Sequence, residues 1–377
     1  MNNNSTYLVI TPFFPSNSSF VGSYIFDQVN ELNNQTNFNI EVVKVVTLFS
    51  TEKDYEFKGF KVSIFKLLDI PFFIFPGIFN SINKSRFNFF LKRRKIDDVT
   101  ISHSHVSYPA SYLIEDLKCK KMVQHHGLDV LQLLNGRNNS IRKFQRQYLI
   151  KNTIHHLNKV DLNIGVSKLI FEKLSEFKLY NSKSEYVLYN GVDVSKFYCK
   201  KNIKNNIFVI GCIANFWDLK DQITLIKSII ILKNKGINVL VRFIGSGVTL
   251  KSCKYFVFEN NLSENVIFEN EIVHEKLNDF YNEIDLFVLP SYHEALGCVY
   301  LESWATNTPF IAVKNQGISE LIPDELKLNL LINKSDELQL SVKINEIINK
   351  SINFEFDMRY SIKNTISNFL KENIFHE

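Results

Sequence analysis

Tyr7-Leu-Val-Ile10 runs into Thr11-Pro12, continues through Phe13-Phe-Pro-Ser-Asn-Ser-Ser-Phe-Val-Gly22, and resumes as Ser23-Tyr-Ile-Phe-Asp-Gln-Val-Asn-Glu-Leu32. The first piece is a short apolar run stopped by proline and reads as a buried strand. The second carries Pro15, Asn17, Ser18, Ser19 and Gly22 and reads as a loop. In the third, Ile25, Phe26, Val29 and Leu32 recur at helical spacing. Ile40-Glu-Val-Val-Lys-Val-Val46 follows as the next strand. Strand, glycine loop, helix, strand opens a parallel α/β sheet with helical crossovers.

The alternation continues with strands at Val99–His103, Lys121–Gln124, Asp161–Val166 and Tyr186–Tyr189. Helices are expected near Pro109–Leu117, Arg142–Leu157 and Ser167–Leu174. Lys196–Asn206 is polar and basic, as linkers are. Beyond it the pattern restarts with strands at Ile207–Ile213, Val239–Ile244, Val266–Glu269, Leu286–Leu289 and Phe310–Val313. Helices are expected at Asp221–Lys233, Lys276–Asn282 and Val299–Ala305. A chain of 377 residues exceeds what one core holds. The expectation is two Rossmann-like α/β domains, residues 1–203 and 204–352, and a C-terminal helix in 353–377 crossing back to the first.

Hydrophobic residues at 45% and charged residues at 22% describe a globular chain and exclude a mainly disordered or polytopic membrane one. A net charge of +5 is too mild to indicate nucleic acid. The charge is concentrated: between Lys61 and Lys95, eight basic side chains face Asp69 alone, a local +7. The five cysteines form no CxxC pair, which disfavours a zinc site or disulfide framework and fits a reducing cytosol. No signal peptide or apolar run of 18 residues is evident.

The strongest chemical signal is Leu289-Pro-Ser-Tyr-His-Glu294-Ala-Leu-Gly297-Cys-Val-Tyr-Leu-Glu302-Ser-Trp-Ala305. Glu294 is expected in the loop after a strand and Glu302 on the following helix. Backbone N–H groups near Leu296 to Val299 would then point into the same crevice, suited to a phosphate or sugar oxygen. The segment resembles the Glu–seven residues–Glu motif of family-4 glycosyltransferases, retaining enzymes of the GT-B fold. Asp285-Leu-Phe-Val-Leu-Pro-Ser291, Asn190-Gly-Val-Asp193, Val166-Ser167, His126-Gly-Leu-Asp129 and the Gly211–Lys220 loop extend the resemblance in the expected order.

The resemblance implies two domains facing across a cleft, the first for acceptor and the second for nucleotide sugar. It implies that Glu302 binds the ribose, and that Glu294 holds sugar hydroxyls with help from backbone at Leu296, Gly297 and Cys298. Lys220 would neutralise the diphosphate, Gly22 would admit the β-phosphate, and His126 would lie against the sugar near the reacting centre. The family mechanism is front-face displacement, with the donor phosphate assisting acceptor deprotonation. A UDP- or GDP-sugar is the expected donor, with no other cofactor. Lysine and backbone donors can stabilise the leaving group without a metal, and no Asp-x-Asp motif is present. Asn215 stands where the family often has arginine, so either charge neutralisation is weaker or Arg242 or another base compensates. Val21 precedes a single Gly22 where two glycines are usual, and Asn329 replaces a glycine, a mild change if positive φ is needed.

His103, His105, His125 and His126 cluster, but no acid or cysteine completes a ligand pattern, so a strand-end polar network is preferred to a metal site. The apolar stretch Ile70–Phe79 and the basic run Lys84–Lys95 suggest contact with an anionic bilayer, against the alternative of a buried loop and a solvated helix face. The expectation is a cytoplasmic, metal-independent glycosyltransferase at the inner face of the plasma membrane. Its acceptor would be a glycan or lipid-linked intermediate of bacterial surface polysaccharide assembly. The competing readings are a non-catalytic nucleotide-sugar-binding subunit, to which Asn215 points, and a GT-B sugar-nucleotide epimerase, which the Asn-Gly-Val-Asp and Glu–Glu motifs disfavour.

Overall fold

The computed structural model describes residues 5–69, 77–127, 129–131, 143–200, 207–350, 352 and 354–376. Two compact units divide the chain: Met1–Asn190 with Thr365–Glu377, and Gly191–Asn364. The division falls earlier than the polar linker suggested. Phe197 is buried, its ring edge-on to His274 (5.4 Å) and Tyr281 (6.1 Å), and Val192 N–H donates to Tyr360 O at 3.0 Å. These contacts tie residues 191–200 to the second unit despite their polar composition.

In the first unit the elements are β1 (Thr6–Thr11), α1 (Ser23–Gln35), β2 (Asn39–Thr47), β3 (Tyr55–Phe57), β4 (Phe60–Leu67), α2 (Asn80–Arg94), β5 (Val99–His105), α3 (Ala110–Leu113), β6 (Lys120–His125), α4 (Lys143–Leu157), β7 (Leu162–Gly165), α5 (Lys168–Ser175) and β8 (Glu185–Val187). The sheet order is β3-β4-β2-β1-β5-β6-β7-β8, parallel except for β3 against β4. Every residue of β1 is buried, because neighbouring strands and crossovers cover it on all sides, and its run is accordingly apolar. α1 buries Ile25, Phe26, Val29 and Leu32, as their spacing predicts, and also Gln28. The helix expected over Pro109–Leu117 is a single turn. Of the expected α4, Arg142 lies outside the described residues. The β3–β4 hairpin, turning at Lys58 and Gly59, was not anticipated.

The second unit holds β9 (Phe208–Ile213), α6 (Gln222–Asn234), β10 (Val239–Ile244), α7 (Leu250–Glu259), β11 (Val266–Glu269), α8 (Leu277–Glu283), β12 (Leu286–Val288), α9 (Cys298–Ala305), β13 (Phe310–Val313), α10 (Asp324–Leu330), β14 (Leu331–Ile332) and α11 (Glu337–Asn349). Its sheet is parallel in the order β11-β10-β9-β12-β13-β14. Asn329 lies inside α10, so the positive-φ reason for a glycine there does not apply. α12 (Ile362–Phe369) carries the chain back into the first unit, where Ser367 Oγ donates to Gln35 Oε1 at 2.7 Å and Phe369 is fully buried.

Candidate active site

Each sheet has one place where successive crossovers leave to opposite sides. It lies between β1 and β5 in the first unit and between β9 and β12 in the second. Open α/β sheets form a ligand crevice at the carboxyl ends of such a strand pair. The predicted site residues of the second unit follow β9 and β12.

From β9 the chain runs through Asn215, which is exposed, to a single 3-10 turn, Asp218–Lys220, and then α6. The Asn215 carbonyl accepts from Gln222 Nε2 at 3.0 Å. Leu219 O accepts from Ser291 Oγ (3.1 Å) and Tyr292 N–H (3.2 Å), joining this loop to the one after β12. That junction brings Lys220 Nζ into a close ion pair with Glu294 Oε1. Glu294 N–H donates to Gln316 Oε1 at 2.8 Å, and its carbonyl accepts from Gly317 N–H at 3.3 Å, so its backbone is fixed from both sides.

Gly297 precedes α9 at φ +82°, and a Cβ there would lie 2.7 Å from Tyr300 Cδ2 and 3.8 Å from Glu294 Oε2. The Glu294 carboxylate therefore sits over the start of α9, the positive end of that helix dipole. Leu296 is buried, whereas Cys298 is partly exposed. Glu302, on the same helix, is only 9% exposed. Its Oε2 accepts from the Tyr281 hydroxyl at 2.9 Å, and His274 Nε2 lies 3.8 Å from Oε1. A carboxylate has about four acceptor positions, so Glu302 retains capacity for two ligand hydroxyls.

Arg242 does not compensate for Asn215. Its guanidinium grips Glu269 through Nε (2.5 Å) and Nη2 (3.0 Å), reaches Glu283 through Nη1 (2.8 Å), and lies over the Phe280 ring. It is committed to the β10–β11 side of the sheet.

In the first unit Gly22 caps α1 at φ +90°, and a Cβ there would meet Phe13 C and O at 2.7 Å. The loop's own backbone thus demands glycine, whether or not a phosphate approaches. His126 follows β6; its Nε2 lies 2.9 Å from His105 Nδ1, and its ring packs 4.9 Å from Tyr24. His125 Nδ1 and Ser107 N–H both reach Asp129 Oδ2 at 2.7 Å. Burial pushes the His126 imidazole down to about 4, only partly opposed by Asp129, so it is neutral near pH 7. Among the described residues no group of three or more His, Cys, Asp or Glu side chains could hold a metal ion.

Residues 195–365 match the family described as "Glycosyl transferases group 1". The chain carries a group 1 glycosyltransferase domain. The match nearly coincides with the second unit, Gly191–Asn364, which holds the Lys220–Glu294–Glu302 constellation. An uncharacterized glycosyltransferase of Methanocaldococcus jannaschii is 30% identical over 258 residues, 67% of this chain and 66% of that protein. The O-antigen chain mannosyltransferase of Salmonella typhimurium is 26% identical over 62% of this chain and 65% of its own length. The aligned region thus covers slightly under two thirds of either relative. The sucrose-phosphate synthase structure from Thermosynechococcus elongatus superposes with a TM-score of 0.71 at 16% identity, covering 96% of this chain and 93% of that one. Anabaena HepE, solved with UDP and glucose, gives 0.69 at 14% identity, covering 97% and 98%. The fold is that of the GT-B glycosyltransferases.

Around the group 1 domain's glutamates, sequence reasoning missed Tyr281, His274 and Gln316. Tyr281 lies 21 residues from Glu302 and Gln316 lies 22 from Glu294. Only the packing of α8 on α9 and the return of the chain after β13 bring them together, and no local spacing signals either contact.

Proposed function

We propose that the chain transfers a sugar from a UDP- or GDP-sugar to a glycan or lipid-linked acceptor in bacterial surface polysaccharide assembly, with retention and without a metal. The observation that carries this reading is the Lys220–Glu294 pair at the β9/β12 crevice, beside the start of α9 and the ribose-competent Glu302. The anomeric carbon–oxygen bond to the diphosphate breaks and a bond to the acceptor hydroxyl oxygen forms on the same face. The acceptor proton passes to the departing phosphate oxygen. Lys220 and the first-turn N–H groups of α9 stabilise the charge that grows there. Glu294, drawn off Lys220 by the diphosphate, takes sugar hydroxyls. By family resemblance Gly22 borders the phosphates and His126 hydrogen-bonds a sugar oxygen.

The proposed acceptor and setting draw on relatives named for O-antigen and capsular polysaccharide synthesis. A membrane surface fits α2 and the residues before it. Ile78, Ile82 and Phe89 are 57%, 50% and 68% exposed, beside the exposed Lys92, Arg93 and Lys95. An open cavity of about 1030 Å³ along this helix is lined by Arg86, Arg93, Phe89 and Phe90 among others. The basic run is less free than its sequence suggests: Lys84 pairs with Glu115 and Asp116, and Arg94 with Asp54. Ile70–Pro76 lie outside the described residues, and no described helix is long and apolar enough to cross a membrane.

The test is a panel of UDP- and GDP-sugars, screened by thermal shift and then by product analysis with lipid-phosphate and oligosaccharide acceptors. One donor should raise Tm and be consumed, and Lys220→Ala should abolish both effects. A donor that binds without transfer to any acceptor would favour the binding-subunit reading, and a 2-epimer of the donor as product would favour the epimerase.

A further inference from the structure

Gln316 lies on the turn after β13, outside every motif read from the sequence. Asn315 adopts φ 60° and reverses the chain, and Gln316 follows it with extended backbone. The turn lays Gln316 against the loop after β12. Glu294 N–H donates to Gln316 Oε1 at 2.8 Å, and the next residue, Gly317, donates its own N–H to the Glu294 carbonyl at 3.3 Å. Two consecutive residues thus hold both backbone polar groups of Glu294. The partners fix which way the Gln316 amide faces. A backbone N–H can only donate, so the amide oxygen must meet it, and Nε2 then turns to an acceptor, Lys314 O, at 3.4 Å.

The Glu294 carboxylate is held by a different group. Among the described residues its hydrogen-bond and ion-pair partner is Lys220. In the proposed reaction the diphosphate competes for that lysine. Once Lys220 turns to the phosphates, no other hydrogen bond or ion pair of the described residues steers the carboxylate. Its direction is then set by the Glu294 backbone, from which the Cα–Cβ bond departs. That backbone is what Gln316 and Gly317 clasp. Gly317 contributes a main-chain N–H that most substitutions leave in place, whereas the Gln316 contribution depends on its side chain. A group that touches a reacting substrate loses much of its effect when misplaced by as little as about 1 Å.

We propose that Gln316 is a positioning residue that aims the Glu294 carboxylate at the hydroxyls of the transferred sugar when the donor is bound. This rests on the reading of Glu294 as a sugar contact. Gln316 then matters to the sugar half of the donor and not to the nucleotide half, whose ribose acceptor, Glu302, is held separately by Tyr281.

The experiment measures two quantities on the full chain: Kd for UDP and GDP by isothermal titration, and kcat for hydrolysis of UDP-glucose and GDP-mannose, which requires no acceptor. Gln316→Met keeps the length of the side chain and removes both amide groups. Gln316→Glu restores an acceptor for Glu294 N–H. Gln316→Met should lower kcat about fivefold, the size of one neutral hydrogen bond, while Kd for the preferred nucleotide stays within about twofold. Gln316→Glu should recover most of kcat. A general loosening of the fold would move both quantities together. In a Glu294→Ala background Gln316→Met should cost nothing further, because the group it aims is gone. Unchanged kcat in Gln316→Met, an equal loss of nucleotide affinity, or an additive penalty beside Glu294→Ala overturns the proposal. Full kcat in Glu294→Ala itself removes the sugar contact and the proposal with it, whereas an impaired Glu294→Ala beside a fully active Gln316→Met removes the Gln316 assignment alone.

Discussion

Replacing Glu302 tests the nucleotide site most directly. The carboxylate is nearly buried and has the Tyr281 hydroxyl as donor to one oxygen, leaving acceptor capacity for a ribose diol. Hydrogen bonds to a charged group contribute about 1.5–3 kcal/mol. Losing even one of Glu302's bonds to the diol should therefore weaken nucleotide binding by roughly 10- to 150-fold. Glu302→Ala also strands the buried Tyr281 hydroxyl, at a stability cost of about 1–3 kcal/mol. Glu302→Gln is the safer companion, because its amide oxygen keeps an acceptor for Tyr281 while the charge and one acceptor oxygen are lost. Tyr281→Phe separates the contributions: the ribose acceptor remains, so affinity should change less than in Glu302→Ala while Tm falls. Isothermal titration with UDP and GDP reads the affinities, and thermal melts read the folding cost. Wild-type Kd for the preferred nucleotide in both Glu302 variants would remove Glu302 from the site.

Three further outcomes follow from the same geometry. Turnover should survive EDTA; loss in chelator with recovery on adding Mg²⁺ or Mn²⁺ would overturn the metal-free chemistry. Binding to anionic vesicles should fall with salt and in the combined Lys92→Gln, Arg93→Gln, Lys95→Gln variant, while nucleotide affinity holds; equal sedimentation with neutral vesicles would refute it. Acid stability should show two windows. Burial holds folded His156 at about 4, against an ordinary 6.5, so the unfolded chain binds its proton first and stability declines as pH falls from about 6.5 to 4. Burial alone would raise Glu115, but hydrogen bonds from Lys159 and Lys84 bring it to about 2, so its contribution is present above its ordinary 4.5 and lost between there and 2. Melts across pH should show the upper limb flattened in His156→Gln and the lower limb flattened in Glu115→Gln; unchanged limbs would remove these groups from the acid response.

The parallel sheets were legible because their strands are short apolar runs bounded by breakers, and Glu294 and Glu302 fall in the loop and helix their spacing suggests. Other elements were hidden for identifiable reasons. In the β3–β4 hairpin Phe60, Val62 and Ile64 do alternate with polar residues, but Lys58-Gly59 is not a strong turn signal. Lys58 nonetheless adopts φ 46° there. α7 escaped because Tyr255 and Phe258, 65% and 71% exposed, blur its apolar stripe. The histidine file, in which the rings of His103, His105 and His126 stack, was visible only as a cluster. His103 and His105 sit in a fully buried part of β5, where the sequence looks like a polar interruption, and the next ring of the file, His126, comes from just beyond the end of β6.

Both sheets finish in very short strands. β3 and β8 have three residues each, β11 has four and β14 has two, whereas β2 and β4 inside the first sheet have nine and eight. A short border offers few unsatisfied backbone groups to another chain, which limits strand-by-strand aggregation. The hairpin missed in the sequence therefore also protects the sheet. Trimming Tyr55–Phe57 would turn β4 into an open border, and a chain shortened there should polymerise even with every ligand-facing residue intact.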